Sequence, residues 1–495
     1  MKQKKSDVII NSEILDRTCI QTFIRPAQCQ QCCTVQGCVM IVFPEYGLVI
    51  TPSRSTRDNL IVFMEQVPDP RRGRGDWIPC DDPPAADPDP HAVQRELSCI
   101  ARDHQLYVVA MVGTQEPCNR EIDSSCPANG RYHYNTNVVY DPTGLLVARY
   151  RKYNLFLHES LVYDRPRTPE LVYFDTLFGR VGTFTCFDVI FGRPGMSLVE
   201  RAGVNISHVA FPTAWLNELP YYAAGPFHQS YAATAEVNLI AANLHVPAVE
   251  ACGSGVYGWD GVPRAFQCTD DTSSALIVGR IPTQIPHGKA EIGHQSFSPD
   301  LESRADFTSS IFKDPFNFVH LHSVSDVTTV CHSGLCCRLN YTRRPQGDNA
   351  AADRFALGAF RGLHTYEGQY YLEICLLMTC LDGNETYCGE DATTSTAVFD
   401  YVELSGSFST KYIYPQVVVT GVRPSTDGWE FKRGLGRLVV PRATSTPLLS
   451  ATLYGRRFDL DDGPPSAGST QHRASQLLHA ISIIIININI IIVVV

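Results

Sequence analysis

Three apolar runs in this chain stop at side chains able to do covalent chemistry. "IVFPE" ends on Glu45, "LLVARYRK" on Lys152 and "VGTFTC" on Cys186, with Phe187 and Asp188 following at once. In open α/β sheets, ligands bind at the carboxyl ends of strands, so a carboxylate, an amine and a thiol placed there are candidates for one pocket. A thiolate is a nucleophile, and a nearby cation lowers the thiol pKa. A carboxylate can take the thiol proton and return it to a leaving amine. An ammonium beside a backbone N–H can stabilise the oxyanion of a tetrahedral intermediate. Together they would cleave an unactivated amide through a thioester that water then hydrolyses. Taken singly, each has a plainer reading: Cys186 as a core cysteine or disulfide half, Glu45 and Lys152 as surface or paired charges.

The elements that must hold these residues alternate in type. "CVMIVFPE" reads as a buried strand ending at Pro44-Glu45, "LYVVAMVG" as a second, and "TNVVYDPTGLLVARYRK" as a hairpin turning at Asp141–Gly144. "LVYFDTLFGRVGTFTC" reads as two strands around a glycine turn. "PGMSLVERAG" reads as helix, "ISHVAFP" as strand, "AAGPFHQSYAATAEVN" as helix and "LIAANLH" as strand. This alternation predicts an α/β domain over residues 38–300 with a largely buried sheet. Residues 301–457 carry short β-type runs with clustered cysteines, which predict a second, β-rich domain. Residues 1–37 form an irregular leader, and 458–495 a linker and apolar tail.

Composition narrows the function. At 44% hydrophobic and 19% charged, 495 residues can build two or three packed domains. A net charge of −10 argues against a nucleic-acid partner. The 18 cysteines fit disulfides in an oxidising compartment. Cys118 and Cys126 are the best local pair, and setting Cys186 aside leaves an odd number. The lone C-x-x-C, Cys29–Cys32, sits in the leader, so no metal site is expected. Sequons at Asn205, Asn340 and Asn384 suit an exported glycoprotein. The first twenty residues carry charge but no apolar run of secretory length, so no signal peptide is visible; an export signal is expected ahead of the sequence as written. The tail offers small residues at Ser466–Ser469, a polar spacer and a closing apolar run. That order matches either a cleaved lipid-anchor signal, giving membrane association, or a low-complexity tail without a packed role.

"IVFPEYGL", "LVARYRKYNLF" and "GTFTCFDVIF" resemble the Glu, Lys and Cys motifs of the nitrilase superfamily. More narrowly, "RYRKYNLF", "FTCFD", "FPTAWLNELP" and "LGAFRGLHTYEGQYYLEIC" resemble the vanin and biotinidase family, from about Cys38 to about Arg457. The resemblance implies an α-β-β-α sandwich core with an appended β-rich C-terminal domain. It implies Glu45 as base, Lys152 as oxyanion-stabilising residue, Cys186 as nucleophile, and no metal or organic cofactor. The implied substrate is a vitamin-derived amide: pantetheine, split into pantothenate and cysteamine, or biocytin, releasing biotin. A secreted binding protein that kept the fold and lost turnover is the alternative from another class.

Trp215 is a candidate pocket wall or a plain core residue. Asp188 is a candidate substrate-binding residue that could orient the nucleophile loop or cap a helix start, and Glu159 is a pocket carboxylate or a surface one. Relatives begin with a signal peptide and a first strand and helix that residues 1–37 do not resemble. A sheet edge left unpaired next to the Glu45 strand is therefore expected. The sequence leaves oligomeric state open.

Overall fold

The computed structural model describes residues 37–49, 56–72, 76–84, 89–271, 274–285, 305–345, 353–380, 388, 392–440 and 445–461, together with the backbone of 487–488 and 490–494. The main strands of the first unit are β1 (Cys38–Val42), β2 (Tyr107–Pro117), β3 (Arg131–Tyr140), β4 (Leu146–Arg151), β5 (Val172–Thr176), β6 (Gly179–Thr183), β7 (His208–Thr213), β8 (Asn238–His245), β9 (Ser254–Tyr257), β10 (Pro263–Gln267) and β11 (Leu276–Arg280). They form two mixed sheets. In one, β1 runs parallel to β2, and β2, β3 and β4 form an antiparallel meander; in the other, β6, β7 and β8 are parallel and flanked by antiparallel partners.

The parallel strands are apolar without alternation because both their faces are covered. Met40, Val42, Val109 and Val139 of the first sheet share one core with Val181, Val209, Phe211 and Leu239 of the second. Helix α1 (Ala92–His104) lays Leu97, Ile100 and Ala101 on the outer face of the first sheet, against Val108, Ala110 and Val138. Helix α2 (Ala224–Ala235) covers the second sheet, completing the four layers. Ten of its twelve residues are buried, because the C-terminal domain lies on its other side. Phe227 and Tyr231 stack on Tyr414, and Thr234 Oγ1 donates to the Ile413 carbonyl at 2.9 Å.

The hairpin between β3 and β4 turns where expected. Asp141 Oδ1 accepts from Thr143 N at 2.8 Å, and Gly144 takes a φ of +85°, which glycine adopts at little steric cost. "PGMSLVERAG" is different: only Ser197–Val199 is α-helical. Pro194 supplies no N–H and biases its predecessor to extended geometry (Arg193 φ −121°, ψ 123°), so a wide turn over Gly192–Met196 precedes the helix. The β1 strand also stops earlier than the sequence suggests, since Pro44 cannot donate; Phe43 N makes the last bond, to Val109 O at 2.9 Å.

The C-terminal domain consists of two antiparallel sheets of seven and five strands. Its Arg456 is fully buried against the first unit, donating Nε to the Ile190 carbonyl at 2.9 Å and Nη2 to Asp461 at 2.5 Å. Asp461 therefore belongs to this packing rather than to a linker. Among the described residues, six disulfides link Cys80–Cys99, Cys118–Cys126, Cys252–Cys268, Cys331–Cys336, Cys337–Cys375 and Cys380–Cys388. The expected pair Cys118–Cys126 is among them. Asn205 is exposed at a positive φ, and Asn340 is half-buried on a strand. Asn384 and the Cys29–Cys32 pair lie outside the described residues.

One expectation is overturned. The edge beside β1 is occupied: the backbone of Ile490–Val494 pairs antiparallel with β1 and parallel with β11, in the first sheet. A strand of the tail thus satisfies the N–H and C=O groups that an empty edge would leave open. The tail has a packed role, and no helix among the described residues is long and apolar enough to cross a membrane. Deleting residues 486–495 should lower the melting temperature by about 5 °C and speed amide exchange at Met40 and Val42, whose N–H groups face the tail strand. Thermal unfolding and hydrogen exchange check this, and an unchanged profile would contradict the pairing.

Candidate active site

The three chain segments singled out by sequence converge. Glu45 sits three residues beyond β1 and is 1% exposed; Lys152 follows β4 at once and is equally buried. Lys152 N donates to Asn135 O at 2.9 Å, continuing the β3–β4 ladder to the site. Its ammonium donates to Glu45 Oε1 at 2.8 Å and pairs with Glu159 Oε2 at 2.7 Å. Asn135 Nδ2 completes the cluster, donating to Glu45 Oε1 at 2.7 Å and Glu159 Oε1 at 3.2 Å. The Tyr46 hydroxyl also donates to Glu159 Oε1, and Phe156 N to Oε2 at 2.6 Å.

Burial sets the electrostatics. Desolvation pushes the Glu45 carboxyl up, and the Glu159 charge adds to this while Lys152 opposes it. For Lys152, burial works against the charge, but Glu159 and Glu45 outweigh it and hold the ammonium well above its ordinary pKa.

Cys186 lies just past β6, at a sharp strand-to-turn corner with φ +46°, an uncommon conformation for a side chain with a Cβ. It belongs to none of the disulfides. Burial raises its pKa first and the Glu45 charge raises it further; Lys152, the Thr213 hydroxyl and the Ala214 N–H pull the other way. The net shift is upward, so the resting sulfur is a thiol. Its mutual electrostatic influence with Glu45 and Lys152 places all three in one dehydrated environment.

Asp188 corrects the binding-residue reading. It does not line the cavity that holds Cys186. Its Oδ2 accepts from Tyr150 OH at 2.5 Å, and its Oδ1 from Asn154 N at 2.8 Å and Asn154 Nδ2 at 2.9 Å. It also accepts from Thr185 N at 3.3 Å, closing the turn over Cys186–Ile190, which is the capping alternative. Burial lifts its pKa to about 6. Glu159 likewise lies behind Lys152 rather than on the cavity wall, its oxygens taken up by Lys152, Asn135, Tyr46 and Phe156 N.

Trp215 does line the cavity. Its Nε1 donates to Tyr222 O at 2.6 Å, and its ring stacks on Phe227. The cleft encloses roughly 490 Å³ with its open mouth included, and both domains build it. The first unit supplies Phe156, Cys186 and Phe187; the C-terminal domain supplies His364, Tyr366, Glu367 and Tyr370. Tyr222 OH and Tyr370 OH lie 2.9 Å apart across the seam. Sequence reading missed Tyr46, Asn135 and these C-terminal residues. Asn135 and Asn137, amides on a strand buried from residue 133 to 140, were a signal for the first kind.

Two family matches account for most of the chain. Carbon-nitrogen hydrolase matches residues 21–255, starting inside the stretch that sequence reading had set apart as unlike the family, and the Vanin C-terminal domain matches 305–461. The fold is therefore that of the nitrilase superfamily, and the chain is a hydrolase of non-peptide carbon–nitrogen bonds. Pantetheinase of Mus musculus is 40% identical over 431 residues, covering 86% of this chain and 81% of that one. Pantetheinase of Bos taurus is 38% identical over 447 residues (89% and 84%), and biotinidase of Bos taurus 34% over 464 (86% and 84%). Within the carbon-nitrogen hydrolases, the chain belongs to the vanin and biotinidase family.

Asp188→Ala should cost at least about 3 kcal/mol of stability, because buried donors on Tyr150 and Asn154 lose their acceptor. Urea unfolding measures this; a loss below about 1 kcal/mol would show that the turn over Cys186 does not depend on Asp188.

Proposed function

We propose that the chain hydrolyses the linear amide of pantetheine, with Cys186 as nucleophile, Glu45 as base and Lys152 as oxyanion stabiliser. The observation that carries this reading is an unbridged thiol at the floor of a two-domain cleft, electrostatically linked to a buried Glu45–Lys152 pair. Because the sulfur rests as a thiol, its proton passes to Glu45 as the Sγ–C bond forms, and a base whose pKa is raised is better matched to that transfer near neutrality. The oxyanion forms beside the Lys152 ammonium and the backbone N–H at the opening of the 186–190 turn. Glu45 returns the proton to the departing nitrogen as the C–N bond breaks, releasing cysteamine. A water then gives a proton to Glu45 and attacks the thioester; the C–S bond breaks, the thiol is reprotonated and pantothenate leaves. Each proton moves among Cys186, Glu45, the attacking water and the departing nitrogen.

Pantetheine is preferred to biocytin because the relatives named for it match more closely. Biocytin is the second reading. Six disulfides support an oxidising, extracellular setting. A lipid-anchor signal at the tail and a retained strand at Ile490–Val494 exclude each other in one mature chain, and the intact mass of the exported protein distinguishes them.

Side-by-side turnover should favour pantetheine over biocytin; the reverse order would move the substrate assignment. Cys186→Ala should abolish turnover, and Glu45→Gln and Lys152→Ala should each lower kcat by about 10²–10⁴-fold. Iodoacetamide should label Cys186 stoichiometrically in the native chain and lose that reactivity in both variants; a thiol no more reactive than free cysteine would favour a binding protein.

Glu159→Gln removes a charge that raises the Glu45 pKa. Glu45 must be deprotonated to act, so the acidic limb of kcat/KM should move to lower pH. A limb that stays in place or moves up would contradict Glu45 as base.

A further inference from the structure

The proposed chemistry uses Glu45, Lys152 and Cys186 and leaves two carboxyls of the cavity that Cys186 lines without a task. Glu218 comes from the loop after Trp215, where its carbonyl accepts from Tyr222 N at 2.8 Å and fixes a tight turn. Glu367 comes from the other domain, at the tip of the hairpin joining Arg354–His364 to Tyr370–Cys380. That tip is held in one shape. Glu367 has φ +58°, and the next residue, Gly368, has φ +158° with Phe187 Cζ only 3.2 Å from where a Cβ would stand. The hairpin therefore presses on the residue after the nucleophile and delivers a carboxyl to a wall made otherwise of Trp215, Tyr366 and Tyr370.

We infer that Glu218 and Glu367 form the specificity-determining polar wall of the cleft, accepting hydrogen bonds from O–H or N–H donors on the acyl arm of the amide. The two carboxyls sense each other: burial pushes the Glu367 pKa well up, and the Glu218 charge pushes it further. With Glu367 pushed toward its protonated form beside the Glu218 charge, the pair offers the cleft acceptor oxygens and one O–H able to donate. A wall of that kind suits a polyhydroxylated or amide-bearing acyl chain. It disfavours an acyl arm ending in a carboxylate, by repulsion, and a plain alkyl arm, which would displace water from the carboxyls without offering them a donor.

This inference rests on the amidase reading, and the test separates the two. Pantetheine and an N-alkanoyl cysteamine of matched length share the scissile amide and the leaving amine and differ in the donors of the acyl arm. The native enzyme should prefer pantetheine in kcat/KM. Glu218→Leu and Glu367→Leu should each lower the pantetheine-to-alkanoyl ratio by about 10–100-fold, the loss of a hydrogen bond to a charged or proton-sharing group. The isosteric Glu367→Gln, which keeps an acceptor, should lower it less. A ratio unchanged in the leucine variants, whether both substrates fall together or neither falls, overturns the inference while the amidase reading stands. A native enzyme that cleaves neither amide overturns the amidase reading and this one with it.

Discussion

Lys152 is an ammonium sealed from water, and burial on its own would strip its proton. Two carboxylates prevent that. Glu45 and Glu159 flank the nitrogen at 2.8 Å and 2.7 Å, and Asn135 ties both acids together. Such a cluster is expensive to dehydrate and more expensive to leave incomplete: removing one partner of a buried ion pair typically costs about 3–5 kcal/mol. The cost explains why so much of the fold converges on it. Glu45 comes from beyond one strand end, Lys152 and Asn135 from a hairpin, and Glu159 from the short turn that follows. A displaced β1 would detach one charge from the group, so the neighbour of β1 in the sheet is of direct concern to the chemistry.

The cleft is a property of both domains. Arg456 carries its guanidinium 4.6 Å from the Tyr370 ring and bonds the Ile190 carbonyl, locking a cavity wall to the turn that bears Cys186. A hydrolase core alone would leave that side open. The second domain narrows the opening and adds polar groups to it, so the reacting atoms and the groups that choose what reaches them come from different parts of the chain.

Much of this was legible in the sequence. Glu45, Lys152 and Cys186 stood out because each interrupts an apolar run at a strand end, where backbone direction forces side chains together. Strands β1 to β8 and helix α2 followed from periodicity and turn chemistry, whereas α1 and β9 to β11 went unread. What escaped has a common cause. Glu218 and Glu367 are ordinary loop glutamates until two domains dock. Asp188 was ambiguous because one short side chain can cap a turn or face a ligand, and only its four donors decide. The tail carries two patterns at once: a run of isoleucine and valine suits a lipid signal and a sheet edge equally, and only the folded chain shows its pairing with β1. The family match from residue 21 likewise draws on positions whose pattern carried no periodicity.

Helix α2 has one further consequence. Sheet lies on one side of it and the C-terminal domain on the other, so neither side is made for water. Dividing the chain between its two family regions would uncover the face of α2 that carries Phe227 and Tyr231, and the liberated halves would sooner clump than fold. The hydrolase and its companion are thus two names for one cooperative body, and any shortened version must carry both.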